Sequence, residues 1–371
     1  MKILLVGGTF NDESGKPSGV IRKMNYFLRE NKHICDCCNG GYFNHLDNIA
    51  KTVTVCDYDV VMWMPNIPND KGKELRNIKA INQKVLLVTS KRNTYVNGAY
   101  EYTLPEMVNH ALGVKANLFI EFCKGEDGAV RSALYDPLAV EYCSMTDNIS
   151  YLMTSLCERL EFLKNGVTRQ SSILSVPDEP MVVPDKRDFF EYVKTVAERF
   201  HELIQPPKEV TRFLGNSSFR CDKGFPSFRH DNLIFVSKRN INKRYIGHDG
   251  FVPVELKDGQ LYCYAKHKPS VDSPIQVRLF DFFENINYMV HAHVYVENAP
   301  MTDYPIPCGA IEEVKEVIKA MKGDYKATRL AVNLRGHGCL VGGYTMDYFL
   351  DPVYGFKFFA RPMPEPYKGN Y

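Results

Sequence analysis

No long apolar run occurs in the 371 residues. The most continuous stretch, around residues 60–64, falls far short of the roughly 18 residues that a membrane-spanning helix needs. The opening MKILLVGG passes into glycine and acid rather than a small-residue cleavage pattern. The expectation is a cytoplasmic chain with no membrane partner. An excess of charge is missing too: 46 basic against 44 acidic residues leave a formal charge of +2. Such a balance gives no general attraction for polyanions, so no nucleic acid is expected. The 11 cysteines are odd in number and lack paired C-x-x-C spacing, which argues for reduced thiols rather than a disulfide framework. Their one dense cluster, Cys35, Cys37 and Cys38 with Cys56 further on, is expected to hold buried, inert thiols. The G-x-G-x-x-G fingerprint of dinucleotide binding is absent. So is a G-x-x-x-x-G-K-[ST] phosphate loop: in the 15–19 segment Pro17 stands where a hydroxyl residue should follow Lys16, and an ATPase is rejected.

What is present is ordinary globular composition, 44% apolar and 24% charged, in a length that suggests two domains. The first half alternates strand-like and helix-like periods, the pattern of a Rossmann-like α/β domain with a parallel sheet. Strands are expected over 2–6, 59–64 and 84–89, and helices over 20–28, 105–122 and 149–163. Gly7-Gly8-Thr9 follows the first strand, and Gly40-Gly41 and residues 65–69 lie in or after other candidate elements. These turns either form a nucleotide- or phosphate-binding crevice or serve a scaffold. Residues 165–184, with Pro177, Pro180 and Pro184 close together, read as a linker between domains at 1–164 and 185–371. The second domain opens with an amphipathic helix from about 188, carrying Phe189, Val193, Val196, Phe200 and Leu203 on one face and stopping before Pro206. Strands at 233–236, 251–255, 260–265, 289–296 and 330–334 and a helix at 310–321 then predict helices enclosing a mostly antiparallel sheet.

The strongest chemical signal is His291-Ala292-His293 in an apolar, β-branched stretch. On a strand, residues i and i+2 share a face, so both imidazoles could reach one ion. His337 follows another expected strand between Gly336 and Gly338, which permit close backbone approach. Three histidines with an open fourth position suit a catalytic zinc; the alternative is histidines that are merely hydrogen-bonded or exposed.

Further motifs surround these histidines. Residues 215–220 read GNSSFR, 236–241 are followed by FVPV at 251–254, residues 268–274 read KPSVDSP, and VHAH at 290–293 precedes RGHG at 335–338. In this order they resemble the class II aldolase and L-ribulose-5-phosphate 4-epimerase (aldolase/adducin) family over residues 188–360. The resemblance implies an α/β/α domain and a Zn²⁺, or another divalent ion, held by His291, His293 and His337. It further implies that Asp272 is the acid beside the open position, against a turn or helix-capping aspartate. Asn216, Ser217 and Ser270 match substrate-holding positions. Two departures stand out: Val271 replaces a second serine, and Ser237-Lys238-Arg239-Asn240 replaces a T-P-x-G type loop. Lys238 and Arg239 then either attract the substrate's anion or form a solvated turn. The implied activity is aldolase-type cleavage or formation of a C–C bond in a sugar phosphate or related hydroxy-carbonyl compound. A 4-epimerase, a dehydratase and an adducin-like scaffold are the alternatives. Family members are often cyclic tetramers that complete the site with a neighbour's tyrosine or acid, so a homotetramer is expected; Asp303, Tyr304, Tyr344, Tyr348 and Tyr354 are available and none is assigned.

Overall fold

Strand β1 (Lys2–Gly7) is buried along nearly its whole length, as expected of a parallel strand covered on both faces. The computed structural model describes residues 1–8, 10, 18–40, 45–46, 48–49, 58–65, 85–168, 173–176, 182–204, 213, 215–221, 233–362 and 365–366. Two units emerge, one over Met1–Gly166 with the chain's last residues and one over Val167–Pro362.

In the first unit, Ser18 caps helix α1 (Gly19–Glu30) by accepting from the Ile21 amide, and Ile21, Met24 and Leu28 bury one stripe. Strands β2 (Ile34–Asn39), β3 (Val60–Trp63), β4 (Leu86–Val96) and β5 (Ala99–Tyr100) follow. Helix α2 (Leu104–Gly113) starts at a Thr103–Glu106 capping box. Then come β6 (Leu118–Lys124), β7 (Val130–Tyr135), β8 (Val140–Thr146) and α3 (Ile149–Asn165). Strands β2, β1, β3, β4 and β6 pair in that order, all parallel, as expected of an α/β domain with a parallel sheet. The antiparallel pair β7 and β8, joined by Glu365–Pro366, extends the sheet beyond it.

One expectation needs correction here. The helix expected over 105–122 ends at Gly113, and Lys115 takes a left-handed turn (φ 58°) into β6. A short buried apolar run such as Leu118–Lys124 fits helix and strand periods equally, and pairing with β4 decided it. The cysteine cluster is itself a strand, with Cys35, Cys37 and Cys38 in β2 as free thiols whose ionisation burial opposes; the Cys35 thiol is pushed up to about 12. Cys56, Thr9, Gly41 and residues 11–17 and 66–70 lie outside the described residues.

The second unit begins at residue 167 rather than 185. Within the expected linker, β9 (Ile173–Ser175) pairs parallel with β13 (Gln260–Cys263), and the Thr168 amide donates to Glu312 at 2.8 Å. Backbone pairing needs no particular side chain, so a proline- and serine-rich composition concealed the strand. Helix α4 (Arg187–Ile204) precedes β10 (Asn216–Arg220), β11 (Ile234–Ser237), β12 (Phe251–Lys257) and β13. After α5 (Ser273–Phe282) come β14 (Tyr288–Ala292), β15 (Tyr295–Val296), α6 (Glu313–Ala320), β16 (Arg329–Leu334), β17 (Gly338–Gly343), α7 (Asp347–Leu350) and β18 (Phe358–Phe359).

Eight strands form one sheet in the order β16-β17-β14-β10-β11-β12-β13-β9, antiparallel except at the last pair. Alternation along the strands gives it two apolar faces. Phe219, Phe235, Phe251, Val290 and Val341 pack with Phe189 and Val193 of α4. Ile234, Val252, Met289 and Leu340 pack with Ile275 and Leu279 of α5 and Val317 of α6. Among the described residues, no helix is long and apolar enough to cross a membrane.

Candidate metal centre

Three sequence segments meet where β10, β14 and the β16–β17 turn end side by side. β14 pairs with β10 (Asn216 opposite His291) and with β17 (His291 opposite Leu340, Ala292 opposite Cys339), so the turn holding His337 lies against the backbone of 291–293. Two glycines permit that approach. A Cβ on Gly338 (φ +150°) would stand 2.0 Å from the Ala292 carbonyl oxygen, and one on Gly215 (φ +76°) 2.5 Å from that of His291.

The single strand expected over 289–296 is split: β14 stops at Ala292, and His293 lies just past its end. The imidazoles converge nonetheless. One ligating atom from each of His291, His293 and His337 lies within 4.8 Å of the others, and among the described residues no other group of three metal-ligating side chains comes together. Ring centroids are 4.6 Å apart for His291 and His337 and 5.3 Å apart for His291 and His293.

The surroundings decide which nitrogens are offered. His291 Nδ1 lies 2.9 Å from the Cys339 carbonyl, which fixes the proton there and leaves Nε2 buried with no partner. His337 Nδ1 faces the buried Glu313 carboxylate at 2.9 Å, and its Nε2 lies 3.0 Å from Cys308 Sγ. A carboxylate behind a histidine fixes its tautomer and raises its basicity as a ligand. Burial, then the charge of His337, pulls His291 down to about 4 and His293 well below the ordinary 6.5, so both stand neutral, the form that binds a cation. Burial opposes protonation of His337 as well, but Cys308 and Glu313 outweigh it and raise its pKa. Glu313 itself is raised by burial, with His337 opposing.

Asp272 is at the N-cap position of α5, yet its side chain does not cap the helix. Instead Oδ2 accepts from Asn216 Nδ2 at 3.1 Å, and Oδ1 is buried without a partner. Asn216 also accepts from Gln276 Nε2. The polar atoms Asp272 Oδ1, Gln276 Oε1 and His291 Nε2 are thus all buried and unpartnered around one strand end. Buried polar atoms ordinarily find partners, so such a concentration marks a place built for something else to bind. A cavity of about 90 Å³ adjoins it, lined by Asn216, Ser217, Lys243, Arg244 and His291 and walled by α4.

No known family model matches the sequence, and no curated protein matches it either. Two solved structures are similar to parts of the chain. One is the DNA/pantothenate metabolism flavoprotein from Streptococcus pneumoniae, 10% identical with a TM-score of 0.33, matched over 44% of this chain and 99% of that one. The other is YgbL from Klebsiella pneumoniae, a candidate aldolase/epimerase/decarboxylase, 15% identical with a TM-score of 0.30, matched over 45% of this chain and 82% of that one. Likeness at this level bears on neither activity nor ligand. The chemistry rests on the geometry.

The other expected substrate residues are placed as follows. Asn216 and Ser217 sit on a buried strand, not a loop; Asn216 meets Asp272 and Gln276, whereas Ser217 points to the opposite face of the sheet and lines the adjoining cavity. Ser270 closes the turn before α5, its Oγ accepting from the Asp272 amide at 3.4 Å and its carbonyl from Ser273 Oγ at 2.8 Å. Arg239 Nε donates to the Pro269 carbonyl at 3.1 Å, and Lys238 forms a backbone bridge with Pro269. The cations lining the cavity are Lys243 and Arg244 instead. Neither was legible in sequence, nor were Glu313, Gln276 and Cys308, because none stands near a motif histidine; Cys308 carried only the turn signal of its P-I-P-C-G context.

Lys243 donates to the Phe213 and Ile241 carbonyls at 3.2 and 3.3 Å, and burial pulls it down from 10.5 to about 8, with Asp272 opposing. Between those two pH values the unfolded lysine holds a proton that the folded one has lost, so wild-type stability rises with pH across that window. Relative to Lys243→Met, the wild type should therefore gain on the order of 2–3 kcal/mol between pH 8 and 10.5. Denaturant melts at both pH values in chelator check this, and the pH-independent cost of two lost hydrogen bonds cancels in the comparison. A second expected outcome concerns Glu313. Zinc affinity should fall about 10–100-fold in Glu313→Gln, measured by chelator competition, with the fold retained.

Proposed function

We propose that the second unit is a metal-dependent lyase of aldolase type, forming or cleaving a carbon–carbon bond beside a carbonyl in a sugar phosphate or related hydroxy-carbonyl compound. The observation that carries this is the convergence of His291, His293 and His337, with His291 Nε2 buried and unpartnered. Three neutral or carboxylate-backed imidazoles fit Zn²⁺, and other divalent ions of similar preference fit as well. A cation held there would supply positive charge to stabilise the oxyanion that develops as the bond breaks.

The protein's own groups have separable roles. Glu313 holds the His337 ring in place through Nδ1. Asn216 fixes one oxygen of Asp272, which leaves Oδ1 as the atom to take or give the proton. Lys243, Arg244 and the Ser217 hydroxyl line the adjoining cavity and suit a phosphate or carboxylate on the substrate. The sequence resemblance supports the same reading, since its separated motifs supply the histidines, Asp272, Asn216, Ser217 and Ser270.

A 4-epimerase would use this same site, and the aspartate in the K-P-S-V-D-S-P string favours it over the glutamate-bearing aldolases. An adducin-like scaffold gives no reason for three unpartnered polar atoms around one strand end. The proposed assembly is a homotetramer, which gel filtration checks. For the activity, zinc-reconstituted protein is incubated with a panel of ketose and aldose phosphates and followed by NMR. Appearance of a shorter aldehyde pair supports the lyase, interconversion of C4 epimers supports the epimerase, and neither product across the panel in a metal-loaded, folded protein would overturn the sugar-phosphate reading.

A further inference from the structure

We propose that the cavity between α4 and the paired ends of β10 and β14 binds a small carboxylic acid with a branched aliphatic body. The metal centre beside it then acts on hydroxy-carbonyl acids of that class, a step that rests on the metal reading of the histidine cluster as the binding itself does not. Two features of the cavity point to a ligand. Ser217 leaves β10 on the face opposite Asn216 and lines the cavity; it is wholly buried, and its Oγ has no partner. Around that hydroxyl the lining is apolar, with Val193, Val196, Phe200 and Ile204 from α4 joined by Phe213 and Val290.

Volume and polarity together select the occupant. The cavity holds about 90 Å³, room for about three waters at roughly 30 Å³ each. Every buried water needs about 2–4 polar partners, and the apolar side chains of the lining supply none. An apolar cavity of roughly 150 Å³ takes benzene, so this smaller one suits a branched group of about four carbons. Charge at its edge is sparing too. The Lys243 ammonium has three N–H donors, of which the Phe213 and Ile241 carbonyls take two at 3.2 and 3.3 Å. Arg244 faces the exposed Glu198 carboxylate at 3.5 Å. The remaining lysine donor and the Ser217 hydroxyl match the two oxygens of a carboxylate, whereas a phosphate dianion buried there would keep oxygens without partners.

The same ligand would reach the metal centre. His291 and Asn216 line the cavity and also belong to the polar cluster on the other face of the sheet, so the two spaces meet at the strand ends. Lys243 interacts electrostatically with both Asp272 and His291, as a group standing between them does. An acid held by Ser217 and Lys243 with its aliphatic body against α4 would bring the carbon next to its carboxylate toward His291. The class that fits is therefore an α-keto or α-hydroxy acid with a compact aliphatic end.

The test uses full-length protein stripped of metal by chelator, with binding followed by calorimetry. Isovalerate is the probe, and acetate and inorganic phosphate are its comparisons. Isovalerate should bind saturably and roughly tenfold or more tighter than acetate, because its further carbons leave water. Phosphate should bind no better than acetate. Ala197→Leu fills the cavity from α4 and should abolish isovalerate binding. Ser217→Ala should weaken it about 2–10-fold. Thermal melts on both variants show whether the fold is kept. Equal affinity for the three anions would mean a water-filled cavity and overturn the site, as would phosphate binding tighter than isovalerate or isovalerate binding that survives in folded Ala197→Leu. For the link to the metal centre, α-ketoisocaproate is titrated into stripped and zinc-reconstituted protein. Tighter binding with zinc supports the link and equal binding overturns it. A protein that takes up no zinc removes the metal reading and leaves the isovalerate result standing.

Discussion

Protein carrying His291→Ala or His337→Ala is expected to contain no stoichiometric divalent metal, while wild type after zinc reconstitution contains about one ion per chain. The effect is large because the cluster has no spare imidazole: His291, His293 and His337 alone come together among the described residues. Each substitution also leaves one group without its partner, the Cys339 carbonyl in the first and the Glu313 carboxylate in the second. Such losses cost about 1–3 kcal/mol, more for a buried charge. Thermal melts must therefore accompany elemental analysis, and Glu313→Gln combined with His337→Ala removes the buried charge if the single variant is unstable. Metal retained at wild-type level in folded variants would place the ion elsewhere. A wild type without metal after reconstitution would remove the enzyme reading.

Asp272→Asn is expected to lower turnover about 10²–10⁴-fold on whichever sugar phosphate the wild type converts, with metal content unchanged. Asparagine keeps the shape of the side chain and its contact with Asn216 but cannot exchange a proton at neutral pH. Helix capping is the competing role, and the two predict opposite patterns. A capping residue lost would cost about 0.5–2 kcal/mol and little activity. Because the Asp272 side chain makes no cap hydrogen bond and one oxygen is buried without a partner, the activity loss should come with little change in melting temperature. An activity within threefold of wild type would remove Asp272 from proton transfer.

Much of this site was legible in the one-dimensional pattern because its parts carry strong local signatures. His291 and His293 are two residues apart at a strand end, and His337 sits between glycines whose φ values and close contacts the turn requires. The parallel pairing of β1, β3 and β4 follows from buried strands alternating with helices such as α1, whose stripe recurs at helical spacing; their order in the sheet does not. Other elements had no such signature. Strand β9 pairs through its backbone, and β6 is too short an apolar run for its period to be read.

Sequence alone determined the residue types of the chemistry, their order along the chain and the two kinds of sheet, because hydrophobic period and turn residues act over a few positions. Only the tertiary structure decided that Glu313 stands behind His337, that Cys308 faces its other nitrogen and that Lys243 rather than Arg239 lines the cavity. Those contacts join residues 24 and 29 positions apart or more. They are set by how strands and loops pack in space, and no local pattern encodes that.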